Sequence, residues 1–282
     1  FAAHRAALAS AVEAHAWDGA WYRRAYFDDG TPLGTAAAEE CRIDLLPQSW
    51  AVLSGLAPPP RCETAMDSAL RELLLPEGRL VRLLTPPFDR TPHDPGYIKG
   101  YVPGIRENGG QYTHAATWAV RALAELGRRE QALAALETIL PVLHARSPAE
   151  VATYQVEPYV VAADVYAVAP HVGRGGWTWY TGSAGWLFRV ALESVLGLRL
   201  EGGRRLVLRP CVPDAWPEFR IALRLRDGAS RHQVCVRNPK GCAARVVRVT
   251  VDGVDLPPED GAAVFPLASD GVVHRVDVEL GS

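Results

Sequence analysis

A change of period near residue 200 constrains this chain more than any other feature of its sequence. Before it, apolar residues recur at helical spacing over 48–56, 63–75, 111–126, 129–145 and 183–196. In "QYTHAATWAVRALAEL" the set Ala115, Ala119, Ala122, Leu123 and Leu126 falls on one helix face. Gly127 stops that helix and "RREQALAALETIL" opens the next, which predicts a helical hairpin. After residue 200 the pattern alternates, in "RRLVLRP", "FRIALRLR", "HQVCVRN", "RVVRVTVDG" and "VVHRVDVEL". Turn residues separate these runs at short intervals, the pattern of a small antiparallel β-sandwich. The expected architecture is a helical catalytic domain over 1–198 followed by a β-domain over 199–282 that packs structurally and carries no chemistry of its own. No short repeat is visible.

A chain of 282 residues holds one large domain or two moderate ones. Its formal charge of −2 and lack of basic runs give no field for nucleic acid or an acidic membrane. Five scattered cysteines (Cys41, Cys62, Cys211, Cys235, Cys242) fit neither a disulfide framework nor a zinc site. The plain expectation is reduced thiols in the cytoplasm and no metal. No run approaches the ~18 apolar residues of a membrane-spanning helix. No signal peptide is visible, and a chain that starts at Phe1 without methionine is expected to be a piece of something longer. Eight tryptophans are many for this length; they suit a core equally well as a platform for sugar rings.

Four clusters in the helical part could hold chemistry. The first, "HAWDGAWYRRAYFDDGTPLG", sets Asp18 between Trp17 and Trp21, with Arg24 close behind. Burial among aromatics disfavours a carboxylate, which predicts a raised pKa suited to a general acid. The plain alternative is an Asp-Gly turn. The second, "YIKGYVPGIRENGGQYTH", runs through Asn108-Gly109-Gly110, expected to be a flexible hinge, to His114 in the first turn of a helix. Free N–H groups there favour an anion, and Glu107 alternatively complements the dipole as a cap. The third, "GRGGWTWYTGSAGW", passes from Trp177, Trp179 and Tyr180 to Thr181-Gly182-Ser183 at another helix start. A hydroxyl and a glycine there can cradle phosphate, or simply cap the helix, and the nucleotide P-loop pattern is absent. The fourth, "TYQVEPYVVAADVY", places Glu157-Pro158 where Pro would open a helix.

One acid, two anion sites and many aromatics suit phosphorolysis of a glycosidic bond. An inverting glycosidase needs an acid and a base about 6.5–9.5 Å apart, with water between them. Phosphate is already an anionic nucleophile, so a phosphorylase replaces the base with a phosphate site.

Together, "AWDGAWYRRAYFDDGTPLG", "GYVPGIRENGGQYTHAATW", "EPYVVAADVY" and "GRGGWTWYTGSAGW" resemble glycoside hydrolase family 94, the cellobiose and chitobiose phosphorylases. Their wording is most similar to the C-terminal region of cyclic β-1,2-glucan synthases. The resemblance implies the C-terminal part of an (α/α)6 barrel and a jelly-roll-like β-domain. It implies inverting attack by inorganic phosphate on a β-glucoside, with release of α-glucose 1-phosphate and no cofactor besides that co-substrate. By motif, Asp18 would be the general acid, and Trp17 or Trp21 the sugar-facing aromatic. Arg24, Tyr101, Arg106 and Glu107 would bind the acceptor sugar, although the family often has Lys where Arg106 stands. His114, Thr181 and Gly182 would bind phosphate. The partners implied are a β-glucan oligosaccharide, inorganic phosphate and the N-terminal half of the same catalytic unit, which this stretch lacks; a homodimer is compatible with this. The implied place is the cytoplasm, as part of an inner-membrane synthase.

Two other readings compete. An inverting hydrolase on the same barrel needs a carboxylate base opposite Asp18, for which Glu107 and Glu157 are the candidates. A carbohydrate-binding fragment would keep an acceptor groove without catalysis.

Overall fold

The computed structural model describes every residue except Tyr180, and of Thr181 the backbone alone. The chain divides into two compact units, Phe1–Leu126 with Ala134–Phe188, and Gly127–Leu133 with Arg189–Ser282.

Seven α-helices lie among the described residues, all in the first two-thirds of the chain: α1 (Ala2–His15), α2 (Leu45–Leu53), α3 (Pro59–Leu73), α4 (Thr113–Glu125), α5 (Arg129–Ile139), α6 (Pro148–Tyr154) and α7 (Thr181–Arg189). A π-helical turn, Val190–Val195, continues α7. Local chemistry sets the boundaries. Asp44 accepts the Leu46 N–H at 2.7 Å and starts α2 three residues before the apolar period does. Two prolines at the first positions pull the start of α3 back to Pro59. Pro141 breaks the helix expected over 129–145, leaving α5 and a 3-10 turn at Pro141–His144. Glu157-Pro158 opens no helix. Gln155, at φ 59°, ends α6 in the left-handed region, and an irregular segment follows. Periodicity gave no sign of α1, and none of its residues is buried.

In this unit α2 packs against α3 and α4, and Trp50 meets Trp118 edge-on with ring centroids 5.2 Å apart. Ala115, Ala119, Ala122 and Leu123 of α4 are buried as their spacing predicts, facing a core that includes Met66 and Leu73 of α3. The long connections are held by four two-stranded ladders: β1–β2 (Ala25–Tyr26, Pro32–Leu33), β3–β6 (Ile43–Asp44, Leu84–Thr85), β4–β5 (Leu74–Leu75, Leu80–Val81) and β7–β8 (Gln111–Tyr112, Asp164–Val165).

The second unit holds the longer strands. β9 (Leu198–Glu201), β10 (Arg205–Leu208) and β15 (Ala263–Pro266) form one antiparallel sheet with β10 central. β11 (Glu218–Arg224), β12 (Arg231–Arg237), β16 (Val273–Gly281), β13 (Arg245–Val251) and β14 (Val254–Leu256) form the other, in that order. Alternation buries His232, Val234 and Val236 of β12 and Val276, Val278 and Leu280 of β16. His232 stacks on Phe265 of the smaller sheet, with centroids 6.4 Å apart.

The expectation of an antiparallel domain needs one correction, because β12 and β16 pair in parallel. β12 and β13 run in opposite directions and β16 wedges between them, so it must be parallel to one neighbour. All five cysteines are free thiols. Among the described residues no three His, Cys, Asp or Glu side chains cluster as metal ligands. No described helix is long and apolar enough to cross a membrane.

Candidate active site

Asp18 sits in a tight loop after α1, where its own N–H donates to the Trp21 carbonyl at 2.8 Å. The buried Gln48 amide fixes this loop from below. It accepts the Tyr22 N–H at 2.8 Å and donates to the Tyr22 carbonyl at 2.9 Å, as a neighbouring strand would. The Asp18 carboxylate is nearly buried, yet fully bonded. Oδ1 takes Nε and Nη2 of Arg23 at 2.9 and 2.7 Å. The Thr35 hydroxyl lies 2.8 and 2.9 Å from its two oxygens, and the Ala36 N–H donates to Oδ2 at 2.7 Å.

These contacts overturn the raised pKa expected from the aromatic setting. Burial does push the Asp18 carboxyl upward, but the Ala36 N–H, the Arg23 guanidinium and the Thr35 hydroxyl outweigh it and hold it below the ordinary carboxylate range. The sequence put Arg23 next to Arg24 without showing which of the two turns toward Asp18.

The other members of this cluster separate. Trp21 is 6% exposed and its indole N–H is shared between the carbonyls of Gly34 and Arg42, at 3.1 and 3.0 Å. It is a core residue rather than a platform for sugar. Trp17 is half-buried, edge-on to Tyr22 and with the Arg61 guanidinium 4.8 Å from its ring centroid. Arg24 turns away from Asp18, with Nη1 3.7 Å from Oδ1 of the buried Asp44. Burial raises the Asp44 carboxyl and the Arg24 charge opposes that rise.

Tyr101, Arg106 and Glu107 do come together. The Arg106 guanidinium carbon lies 5.2 Å from the ring centroids of both Tyr101 and Trp177, and Nε is 3.5 Å from Oε2 of Glu107. The turn that presents them is no hinge. Asn108, Gly109 and Gly110 are buried. The Asn108 amide accepts the Phe88 N–H at 2.7 Å and donates to the carbonyls of Phe88 and Tyr101 at 2.9 and 2.8 Å. A Cβ on Gly109 would lie 2.9 Å from Pro87, and one on Gly110 2.9 Å from the Arg106 nitrogen. These glycines serve close packing, which expectations based on flexibility missed.

His114 is the second residue of α4, and Gly182 the second of α7. A Cβ on Gly182 would sit 3.7 Å from Nδ1 of His114, so the two helix starts meet there. The imidazole packs on Trp118, one turn along, at 4.7 Å and faces Trp186 at 6.1 Å. Its Nε2 is buried and takes no hydrogen bond among the described residues. Burial lowers its pKa, so at neutral pH it is a neutral imidazole that offers one N–H. The Thr181 side chain lies outside the described residues, as does Tyr180. Ser183 is buried inside α7 and does not cap it. Glu157 is tied instead to the Trp179 indole at 3.2 Å.

Residues 1–197 match the catalytic domain of the glycosyl hydrolase 94 superfamily. The chain belongs to that superfamily. It is 50% identical over 246 residues to cyclic β-(1,2)-glucan synthase NdvB of Rhizobium meliloti (strain 1021), covering 87% of this chain and 9% of that protein. It is 33% identical over 274 residues to solabiose phosphorylase of Paenibacillus borealis, covering 97% of this chain and 34% of the relative. The N,N'-diacetylchitobiose phosphorylase of Vibrio furnissii is 33% identical over 247 residues, 86% of this chain and 30% of the relative. This glycosyl hydrolase 94 chain thus spans about a third of the length of those two phosphorylases and about a tenth of the synthase.

Proposed function

We propose that this chain supplies the acid, acceptor-side and phosphate-side groups for inverting phosphorolysis of β-glucosidic bonds. The substrate would be β-1,2-glucan, and the setting the C-terminal region of a protein like the cyclic glucan synthases. On this reading residues 1–198 are part of an (α/α)6 barrel and 199–282 a jelly-roll-like sandwich.

The observation that supports it best is the His114–Gly182 junction. Two helix starts converge on the His114 imidazole, where Gly182 puts no side chain against its Nδ1 edge, and the buried Nε2 takes no hydrogen bond among the described residues. Such an arrangement suits an oxyanion. In the reaction, a phosphate oxygen held there attacks the anomeric carbon from the face opposite the leaving group. The carbon–oxygen bond to the next glucose breaks, and the proton of the Asp18 carboxyl passes to the departing oxygen. Arg106 and Tyr101, with Trp17 and Arg24, hold the released sugar. In the sugar-free state Asp18 is held as a carboxylate, so it takes up its proton only when Arg23 or Thr35 gives way to sugar. No cofactor enters this scheme.

The test is glucose 1-phosphate release from linear β-1,2-glucan by the full-length protein, with and without inorganic phosphate. Phosphate-dependent release is expected. Reducing sugar released without phosphate would replace this reading with the hydrolase, and a folded protein silent in both would leave a carbohydrate-binding role.

A further inference from the structure

Arg106 adopts φ 50°, a left-handed conformation that a non-glycine residue keeps only where its surroundings hold it. Its guanidinium lies between two rings carried by different segments, Tyr101 on its own loop and Trp177 on the segment leading to α7. That position therefore depends on the register between the two segments. Beneath them is Asp164 of β8, 1% exposed. Its Oδ1 accepts the Trp177 N–H at 3.2 Å, and its carbonyl accepts the Gly176 N–H at 2.8 Å. Burial pushes its carboxyl upward, opposed first by the Trp177 N–H and then by the Arg106 charge. Its Oδ2 is buried without a hydrogen bond among the described residues, a cost that favours nearby positive charge. The approach is tight: a Cβ on Gly176 would lie 2.3 Å from Oδ1 and 2.7 Å from Oδ2. On the other edge, β8 pairs with β7, and the Ala163 carbonyl accepts the Thr113 N–H at 2.9 Å, just before His114.

We propose that Asp164 is a positioning residue for the acceptor side of the site: its carboxylate holds the Trp177 segment, against whose ring the Arg106 guanidinium lies, and Gly176 is the residue that lets it approach. His114 is placed by backbone pairing and by α4, and so does not depend on the Asp164 side chain. The kinetic part of this proposal rests on the phosphorolysis reading; the structural part does not.

The test uses Asp164→Asn and, separately, Gly176→Ala, which would push a methyl into the same carboxylate. Hydrogen exchange on the 282-residue chain is expected to quicken at the Arg106 and Trp177 amides and to stay unchanged along α4. In the full-length protein, with glucose 1-phosphate as donor and a β-1,2-gluco-oligosaccharide as acceptor, the acceptor KM should rise about tenfold or more. The phosphate KM in the reverse direction should hold, and the two substitutions combined should do little more than either alone. Unchanged exchange at Arg106 and Trp177 overturns the proposal. So does an equal rise in both KM values together with a lowered melting temperature, which would mark general structural damage. A wild-type protein without phosphate-dependent turnover would overturn the phosphorolysis reading instead, while the exchange result still decides whether Asp164 holds the Trp177 segment.

Discussion

Asp18 and His114 were both singled out by the sequence as groups that could do chemistry, and the fold treats them in opposite ways. Both carboxylate oxygens of Asp18 are satisfied by Arg23, Thr35 and Ala36. His114 is packed against indoles, with Nε2 buried and taking no hydrogen bond among the described residues. A saturated group must exchange partners before it can act, so its reactivity is conditional on a ligand. An unsatisfied buried nitrogen costs stability on its own, which a sequence tolerates where a ligand is to complete it. On the proposed reading the acid is the group that has to be switched on, and the imidazole is the one already waiting.

Removing each group tests that contrast. Asp18→Asn in the full-length protein has the largest expected effect, a fall in kcat of about 10²–10⁴ with the glucan KM nearly unchanged. It should also destabilise the fold by roughly 1.5–3 kcal/mol, because Arg23 and the Ala36 N–H lose an ionised acceptor. Thr35→Val gives the control, since it removes one neutral donor and leaves the acid. Turnover retained in Asp18→Asn would take Asp18 out of the reaction. His114→Ala should act on one substrate only. Losing a hydrogen bond to an anion is expected to raise the phosphate KM by about 10–100-fold, with the glucan KM and the melting temperature close to wild type. Equal shifts in both KM values would move the phosphate site elsewhere.

The broad layout was legible because it follows from periodicity. The period of 3.6 in 111–126 and the alternation in β10, β12 and β16 each name an element and its buried face. The places that misled share a cause, which is that long-range partners are invisible in a local window. Asp18 looked set for a raised pKa because its aromatic neighbours are adjacent in sequence, while Thr35 and Ala36, which help hold it ionised, come 17 and 18 residues later. Asn108-Gly109-Gly110 looked flexible because the residues it packs against, Phe88 and Pro87, lie in another loop. Trp21 and Trp17 could not be told apart until the Gly34 and Arg42 carbonyls claimed one of them. The parallel pairing of β16 is likewise a matter of where the strand inserts, and its own residues do not encode it. Asp164 was within view in "EPYVVAADVY", but the Trp177 N–H that its carboxylate accepts lies 13 residues further along.

The smallest expected effect sharpens the comparison most. Arg23→Leu leaves Asp18 its burial, Thr35 and the Ala36 N–H, and removes the one positive charge bonded to it. Because the folded pKa of Asp18 is depressed, its contribution to stability is present above the ordinary carboxylate value of about 3.9 and is lost as pH falls through the folded value. Without Arg23 the folded pKa moves up, so acid unfolding should begin at higher pH, and stability near neutrality should drop by about 1–2 kcal/mol, kept modest because the Arg23 side chain is 27% exposed. Carbon NMR of the Asp18 carboxyl reads the pKa directly on the chain itself. In the full-length enzyme a general acid must be protonated to act, so a raised pKa should move the alkaline fall of kcat to higher pH. A carboxyl that shifts while the rate profile stays in place would show that the group whose ionisation limits turnover is not Asp18, and the contrast with His114 would then be one of structure alone.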